Sequence, residues 1–277
     1  MSQQRLFSLL RCLECGERLS HGEEKLICAG CGETYPLRDG IPVMVRKDSE
    51  DALWEDYFCR VSSRMGDTEA ANRYFSRGNF RFVRRHLLEL IGPVKGQTIL
   101  DAGCGTGHFA AALTPDHLVV GVDISLAMLG FARKKGLAVV QASAKKLPFD
   151  ANTFDLVIAN NVIQSIREGA AFVRELHRVT RPGGKVMVST TNGANPSLKI
   201  LRPFERKKHG QLEVYSLDDL TRFCTMAHLT VELMLFLFYP FGLANRIKGD
   251  SRPRLLERRF STSLAILASK PGTNRTP

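Results

Sequence analysis

Long apolar runs are missing from this 277-residue sequence: no stretch of eighteen apolar residues occurs, which excludes a membrane-spanning helix of ordinary length. The apolar patch within Met1–Arg11 is too short for the core of a secretory signal, so a cytoplasmic protein is expected. Acidic charge is also in short supply, with 28 Asp and Glu against 39 Lys and Arg. The resulting net charge of +11 implies attraction to polyanions, whether RNA, an anionic membrane or an acidic substrate, without choosing among them. At 44% hydrophobic the chain can bury a full core, and its length suits one large domain with a small extra module.

What is present is organised around Thr98–Ala110, an apolar run that ends in Asp101 and then places glycines at 103, 105 and 107. This predicts a strand turning sharply into a helix. Gly103, Gly105 and Gly107 remove side chains where the backbone bends and a ligand lies against it, and the helix start offers free N–H groups. A bare structural turn would account for the glycines alone. The following strand, Leu118–Ile124, raises the functional reading because it ends in Asp123, about where a second parallel strand sets a carboxylate against ribose hydroxyls. A dinucleotide fingerprint would need glycine at 108 or 110, and the chain has His108 and Ala110. Asp101 can orient the loop and meet a ligand ammonium, so a positively charged ligand with a ribose fits better than a pyrophosphate.

Near the N-terminus Cys12, Cys15, Cys28 and Cys31 form two Cys-x2-Cys pairs, each followed by a glycine (Gly16, Gly32). This is tetrahedral zinc-ribbon spacing, and it is favoured over two disulfides in a chain without a secretion signal. Four thiolates close the coordination sphere, so the zinc is expected to be structural.

At this point the chain resembles the class I S-adenosylmethionine-dependent methyltransferases, in their methyltransferase-11 or quinone-methylase-like branch. The resemblance runs from about Ile99 to Thr191. It rests on Leu-Asp-Ala-Gly-Cys-Gly-Thr-Gly, on Gly-Val-Asp-Ile-Ser, on Lys-Leu-Pro-Phe-Asp with Thr-Phe-Asp-Leu-Val-Ile, and on Leu-His-Arg-Val-Thr-Arg-Pro-Gly-Gly-Lys-Val. It implies an α/β fold, a doubly wound, mostly parallel seven-stranded sheet. It also implies that Asp101, Gly103, Gly105 and Gly107 line the methionine part of the cofactor, and that Asp123 and Ile124 hold the ribose and the adenine face. Ser143 and Ala144 fall where the family meets the adenine, but the family usually has an Asp at position 143, so a hydroxyl or a backbone group must replace it. Met128 either packs the core or touches the adenine. Asn160 leaves the fourth strand where the family's motif faces the methyl group and the acceptor. The Asn-Pro-Pro-Tyr of amine-methylating relatives is absent, which argues for a carbon, oxygen or ring-nitrogen acceptor. No general base is identifiable, with Tyr74, His108 and Gln164 as candidates. The ribbon itself, continuing through Glu33–Val45, resembles the small zinc-ribbon activators of RNA and protein methyltransferases. A ribbon ahead of a methyltransferase is also similar to the bacterial guanine-N1 methyltransferases of ribosomal RNA, which have a histidine as last ligand where this chain has Cys31.

The expected organisation is a zinc ribbon over 1–46, a linker with cap helices over 47–95, and the methyltransferase domain over 96–277. In the cap, Phe82, Leu87, Leu90 and Ile91 fall near one helical face, and the resemblance sets Tyr74, Phe75 and Arg77 near cofactor or substrate. Beyond the second strand the pattern predicts a helix from Ser125, its N-cap, to Lys135, strands at 138–142 and 154–159, a helix over 168–180 stopped by Arg181–Gly184, and a strand at 185–190. Asn195–Gly210 is a basic insertion of the kind that shapes acceptor pockets. Ser216 caps the last large helix. The apolar run Thr230–Gly242 reads as a buried strand, or its end beside six basic residues reads as a mouth against lipid or an anionic membrane. Three functions follow: a methyltransferase for a small or lipid-like acceptor, a ribosomal or transfer RNA methyltransferase, or a non-catalytic module. Intact Asp101, Asp123 and glycines count against the third.

Overall fold

The computed structural model describes residues 2–45, 49–68, 77–93, 96–196, 213–238 and 243–272. Helix α1 (Ser2–Leu9) leads into four short strands, β1 (Leu19–His21), β2 (Lys25–Cys28), β3 (Thr34–Arg38) and β4 (Ile41–Met44). Two helices follow, α2 (Ser49–Met65) and α3 (Arg77–Ile91). The alternating part comprises β5 (Thr98–Ala102), β6 (Leu118–Asp123), α4 (Leu126–Lys134), β7 (Ala138–Ala142), β8 (Phe154–Asn160), α5 (Gly169–Val179) and β9 (Thr180–Thr191). The chain closes with α6 (Leu217–Met226), β10 (Thr230–Phe238), β11 (Leu243–Lys248), α7 (Leu255–Phe260) and β12 (Ser263–Ser269).

Strands β6 and β7 are buried at every position, as expected of parallel strands covered on both faces. Their alternate residues feed two cores. Leu100, Ala102, Val120, Val122, Val140 and Ala142 point to one side, with Phe172 and Leu176 of α5 and Leu220 of α6. Ile99, Val119, Val139 and Ile158 point to the other, with Leu87 and Leu90 of α3 and Leu129 of α4. The sheet is therefore doubly wound. Ser125 caps α4 by accepting from the Met128 N–H, and Ser216 with Asp219 forms a reciprocal capping box on α6.

The sheet corrects the expected seven mostly parallel strands: it has twelve, mixed, in the order β1-β2-β3-β4-β7-β6-β5-β8-β9-β12-β10-β11. The ribbon supplies the extra strands at one end, because β4 pairs in parallel with β7, Val43 opposite Gln141 and Met44 opposite Ala142. The Gln3 side chain completes the bare edge of β7, donating to the Val139 carbonyl (2.9 Å) and accepting from the Val139 N–H (3.0 Å). Leu6, Leu10, Cys12, Leu26, Tyr35 and Met44 share a core with Val140, Leu147 and Phe149, so the ribbon packs as part of the same hydrophobic interior. At the other end β11 pairs antiparallel with β10, and β12 lies antiparallel between β9 and β10.

Two local expectations change. Straight after Gly107 the chain forms only a single 3-10 turn, Ala110–Leu113, because Pro115 has no N–H with which to continue a helix. The helix before Arg181–Gly184 ends at Val179 as expected, but the segment is also strand, part of β9 from Thr180, drawn into the sheet by Gly183 N–H to Lys270 O and Lys270 N–H to Gly184 O, both 2.9 Å. Tyr74, Phe75, the side chain of Arg77, residues 197–210 of the basic insertion and Tyr239–Gly242 lie outside the described residues. No helix among the described residues is long and apolar enough to cross a membrane.

Candidate functional site

The four cysteines converge at one point. Their sulfurs all lie within 4.8 Å of one another, with Cys12 Sγ 3.6 Å from Cys31 Sγ and Cys15 Sγ 3.3 Å from Cys28 Sγ. These separations are far beyond the roughly 2.05 Å of a disulfide. They suit a tetrahedral ion, for which Zn–S bonds of about 2.3 Å hold sulfurs roughly 3.8 Å apart. Gly16 and Gly32, at φ +78° and +75°, make the turns that bring each pair together. Backbone N–H groups of Glu14 and Cys31 point at Cys12 and Cys28 sulfurs (3.4 and 3.5 Å), as thiolate ligands require. Tyr35 supplies an outer support: its hydroxyl accepts the Leu13 N–H at 2.8 Å and lies 3.3 Å from Cys12 Sγ, and burial pushes its pKa up, so the proton stays available to the sulfur. The donor set fits a closed, structural zinc.

The second site is a cleft at the C-terminal ends of the parallel strands, where ligands bind in open α/β sheets. Asp101, Gly103, Gly105, Asp123, Ile124, Met128, Ser143, Ala144 and Asn160 all line it. Gly103 and Gly105 adopt φ +81° and +53°, and a Cβ at 103 would stand 2.1 Å from Val162 Cγ2. Gly107 does not reach the cleft; a Cβ there would meet Ala132 at 2.9 Å, so its smallness lets the turn pack on α4. The Asp123 carboxylate braces the turn, accepting the Gly105 N–H on Oδ2 (2.8 Å) and the Ser125 N–H on Oδ1 (2.9 Å). Burial raises its pKa against these hydrogen bonds. Asp101 is 1% exposed, and its Oδ1 has no hydrogen-bond partner. Burial, reinforced by Asp123, pushes its pKa up to about 7. A buried acceptor open to a cleft can take a hydrogen bond from water or a ligand, and a cationic ligand would restore its charge.

The opposite wall is aromatic and aliphatic: Trp54 and Phe58 of α2, Phe80 and Val83 of α3, Phe109, Val162 and Ile166. The sequence reads over Arg46–Asp67 as a linker becoming helical, and α2 is that helix; its residues were not expected at the cleft, although Asp51, Trp54 and Phe58 recur at i, i+3 and i+7, the period of one helical face. Asp51 changes the account of position 143. The Ser143 hydroxyl donates to Asp51 Oδ1 at 3.2 Å, so a carboxylate does stand beside that position, delivered from α2. Lys145 Nζ neutralises it at 2.9 Å and also reaches Glu50 Oε2 at 3.2 Å. Gln141 ties α2 down, its Nε2 donating to Glu55 Oε1 and to the Ile124 carbonyl, both 2.9 Å.

Neither described base candidate lines the cleft. The His108 ring turns to Asp67 (3.1 Å) and packs edge-on to Phe80, while Gln164 accepts from the Thr190 hydroxyl at 3.1 Å in the core. Tyr74 is outside the described residues.

Residues 100–188 match the family model "Methyltransferase domain", and residues 3–40 match that of the Trm112p-like proteins. Among curated relatives, the chain is 33% identical over 155 residues to the malonyl-[acyl-carrier protein] O-methyltransferase of Hamiltonella defensa, covering 54% of this chain and 59% of that protein. It is 34% identical over 172 residues to the ubiquinone/menaquinone biosynthesis C-methyltransferase UbiE of a Shewanella species, covering 57% and 66%. The chain thus spans from somewhat over half to about two thirds of the length of these relatives. Among solved structures, a chain from the complex containing the Haloferax volcanii Trm112 methyltransferase activator shares the fold, with a TM-score of 0.61 at 17% identity, covering 80% of this chain and 99% of that one. The chain therefore carries a methyltransferase domain of the S-adenosylmethionine-dependent fold and an N-terminal Trm112-like zinc ribbon. The cofactors of these two parts are S-adenosylmethionine and a structural zinc ion.

Proposed function

We propose that this protein transfers a methyl group from S-adenosylmethionine to a small, largely apolar or lipid-like acceptor. The observation that carries the reading is the pairing of an acid-and-glycine turn with a wall of Trp54, Phe58, Phe80, Phe109, Val162 and Ile166 in one cleft. Bound in it, the cofactor supplies a methyl group on a cationic sulfonium. Asp101 would face the cationic part, and the free lone pairs of Asp123, with Ile124, would take the ribose and the adenine face. Ser143 and Asp51 together would meet the adenine amino edge, Met128 and Ala144 would flank the ring, and Asn160 would mark the polar end toward the acceptor. Methyl transfer is a direct displacement, so alignment of the acceptor can supply much of the rate, and a base is needed only if the acceptor must lose a proton.

The second reading, methylation of ribosomal or transfer RNA, is favoured by the Trm112-like ribbon and the positive charge. Against it stands the apolar wall of the cleft, Trp54, Phe58, Phe80, Phe109, Val162 and Ile166, which offers phosphates no partner; some basic side chains are also held by acidic neighbours, Arg60 by Asp56 (2.5 Å), Arg85 by Glu89 (2.8 Å) and Lys185 by Glu232 (2.9 Å). Incubation with methyl-labelled cofactor and, separately, a lipid-soluble extract and total RNA separates the two. The proposal predicts label in the lipid-soluble fraction with little dependence on salt. Label in RNA, with affinity falling on a log–log scale at about 0.7 per phosphate contact, would replace it with the second reading.

A further inference from the structure

At the open end of the sheet, α7 is built inside out. Its charged Glu257 is buried at 5% exposure, while Leu255, Leu256 and Phe260 stand 65%, 62% and 50% exposed. Isolated exposed leucines need no explanation, but here Leu256 and Phe260 share a helical face, four residues apart, and Leu255 adjoins it. The arrangement is held firmly. Asn245 of β11 donates to Glu257 Oε1 at 2.6 Å, which anchors the charged side inward. Asn192 donates to the carbonyls of Arg258 (3.0 Å) and Ser261 (3.1 Å), and Asn195 to those of Phe260 (3.2 Å) and Ser261 (2.9 Å). Leu243, 62% exposed, is a further outward apolar side chain on β11, the strand that Asn245 ties to this helix.

Around this patch lie Arg252, Arg254 and Arg259, which have no acidic partner among the described residues, whereas Arg258 is paired with Asp218 at 2.6 Å. Apolar side chains presented outward within a ring of unpaired guanidinium groups match a surface that is anionic at its face and apolar beneath, which is a bilayer containing acidic lipids. RNA offers phosphates and stacking bases, and of the exposed apolar side chains here only Phe260 can stack, while Leu243, Leu255 and Leu256 are poor partners for either. We propose that α7 and the start of β11 dock the protein on an anionic lipid surface. Phe260 is three residues from Ser263, which lines the cleft, so docking there sets the cleft beside the bilayer. The proposal does not depend on the methyl-transfer reading, since it is tested by binding alone.

The test uses full-length, zinc-loaded protein and flotation with vesicles of phosphatidylcholine alone or mixed with phosphatidylglycerol. The expected result is binding to the mixed vesicles only, weakened by raised salt. The combined substitution Leu255→Ser, Leu256→Ser and Phe260→Ser should lower it at least about tenfold, and Arg252→Gln with Arg254→Gln should lower it several-fold. The melting temperature and zinc content of both variants should stay as in the wild type. No binding to mixed vesicles, or binding that the leucine substitutions leave intact, overturns the proposal. So does concentration-dependent dimerisation abolished by the same substitutions, which would make a second copy of the chain the occupant.

Discussion

On the sheet side of the cleft, recognition is made of backbone. Gly103 and Gly105 sit at positive φ, and Asp123 holds one loop N–H on each carboxylate oxygen. On the helix side it is made of side-chain bulk, with Trp54 and Phe58 on α2, which is tied down by the polar pairs Gln141–Glu55, Ser143–Asp51 and Lys145–Glu50, and Phe80 on α3, which packs on the sheet through Leu87 and Leu90. The first construction tolerates few residue types at each position, because left-handed φ and a 2.1 Å approach to Val162 exclude any Cβ. The second tolerates many, because shape and apolarity can be met by several side chains. One side is therefore suited to a fixed cofactor and the other to a variable acceptor.

Substitutions that strain the rigid side should be costly, and the largest effect is expected behind it. Cys28 is a zinc ligand and also sits in the core that the ribbon shares with β7. Cys28→Ser should lose the metal and, through the β4–β7 pairing, cost at least about 3 kcal/mol of stability. Elemental analysis with denaturant unfolding checks this, and full stability without zinc would show the ribbon to be held by packing alone. Gly103→Ala comes next, at about 2–4 kcal/mol for the left-handed backbone together with the Val162 clash. It should also push Val162 into the cleft and abolish cofactor binding, measured by unfolding and calorimetry together.

A subtler probe is pH. Asp101 titrates near 7 in the ligand-free fold, above an ordinary carboxylate. The folded state thus binds the proton more tightly than the unfolded one, and this contribution to stability is present below the ordinary carboxylate range and lost as pH rises through about 7. A cationic ligand has the opposite preference, so its affinity should rise with pH, by at most about tenfold per unit, and level off above 7. Titration of Asp101→Asn should show weaker binding without that rise; an unchanged profile would place the cation elsewhere. The gentlest test needs no substitution. Trp54 is the one tryptophan in the sequence and lines the cleft, so its emission should change as cofactor or acceptor fills the site. Emission unaltered at saturation would mean that the helix side takes no part in binding.

The same contrast explains what could be read from the sequence. Glycines at alternate positions after an apolar run, an acid at the end of the next strand and paired Cys-x2-Cys turns each have few conformational solutions, so β5, β6 and the metal site were legible in advance. So were the caps at Ser125 and Ser216. The twelve-stranded sheet was not, because nothing local in Ile41–Met44 marks it as a partner for Ala138–Ala142: edge pairing depends on shape at a distance of about a hundred residues in sequence. Asp51 was hidden for a related reason, since a carboxylate brought to Ser143 from another helix leaves no trace in the spacing around 143. The single 3-10 turn after Gly107 was missed where a glycine-rich pattern outweighed the proline at 115.

The measurement that bears most directly on this division is calorimetric titration of S-adenosylmethionine into the wild type and Asp123→Ala. The account predicts binding by the wild type and a loss of about 2–3 kcal/mol in the variant, as for removal of a charged hydrogen-bonding partner that also braces the turn. Unchanged affinity in Asp123→Ala, or a preference of the wild type for a nicotinamide dinucleotide, would contradict it.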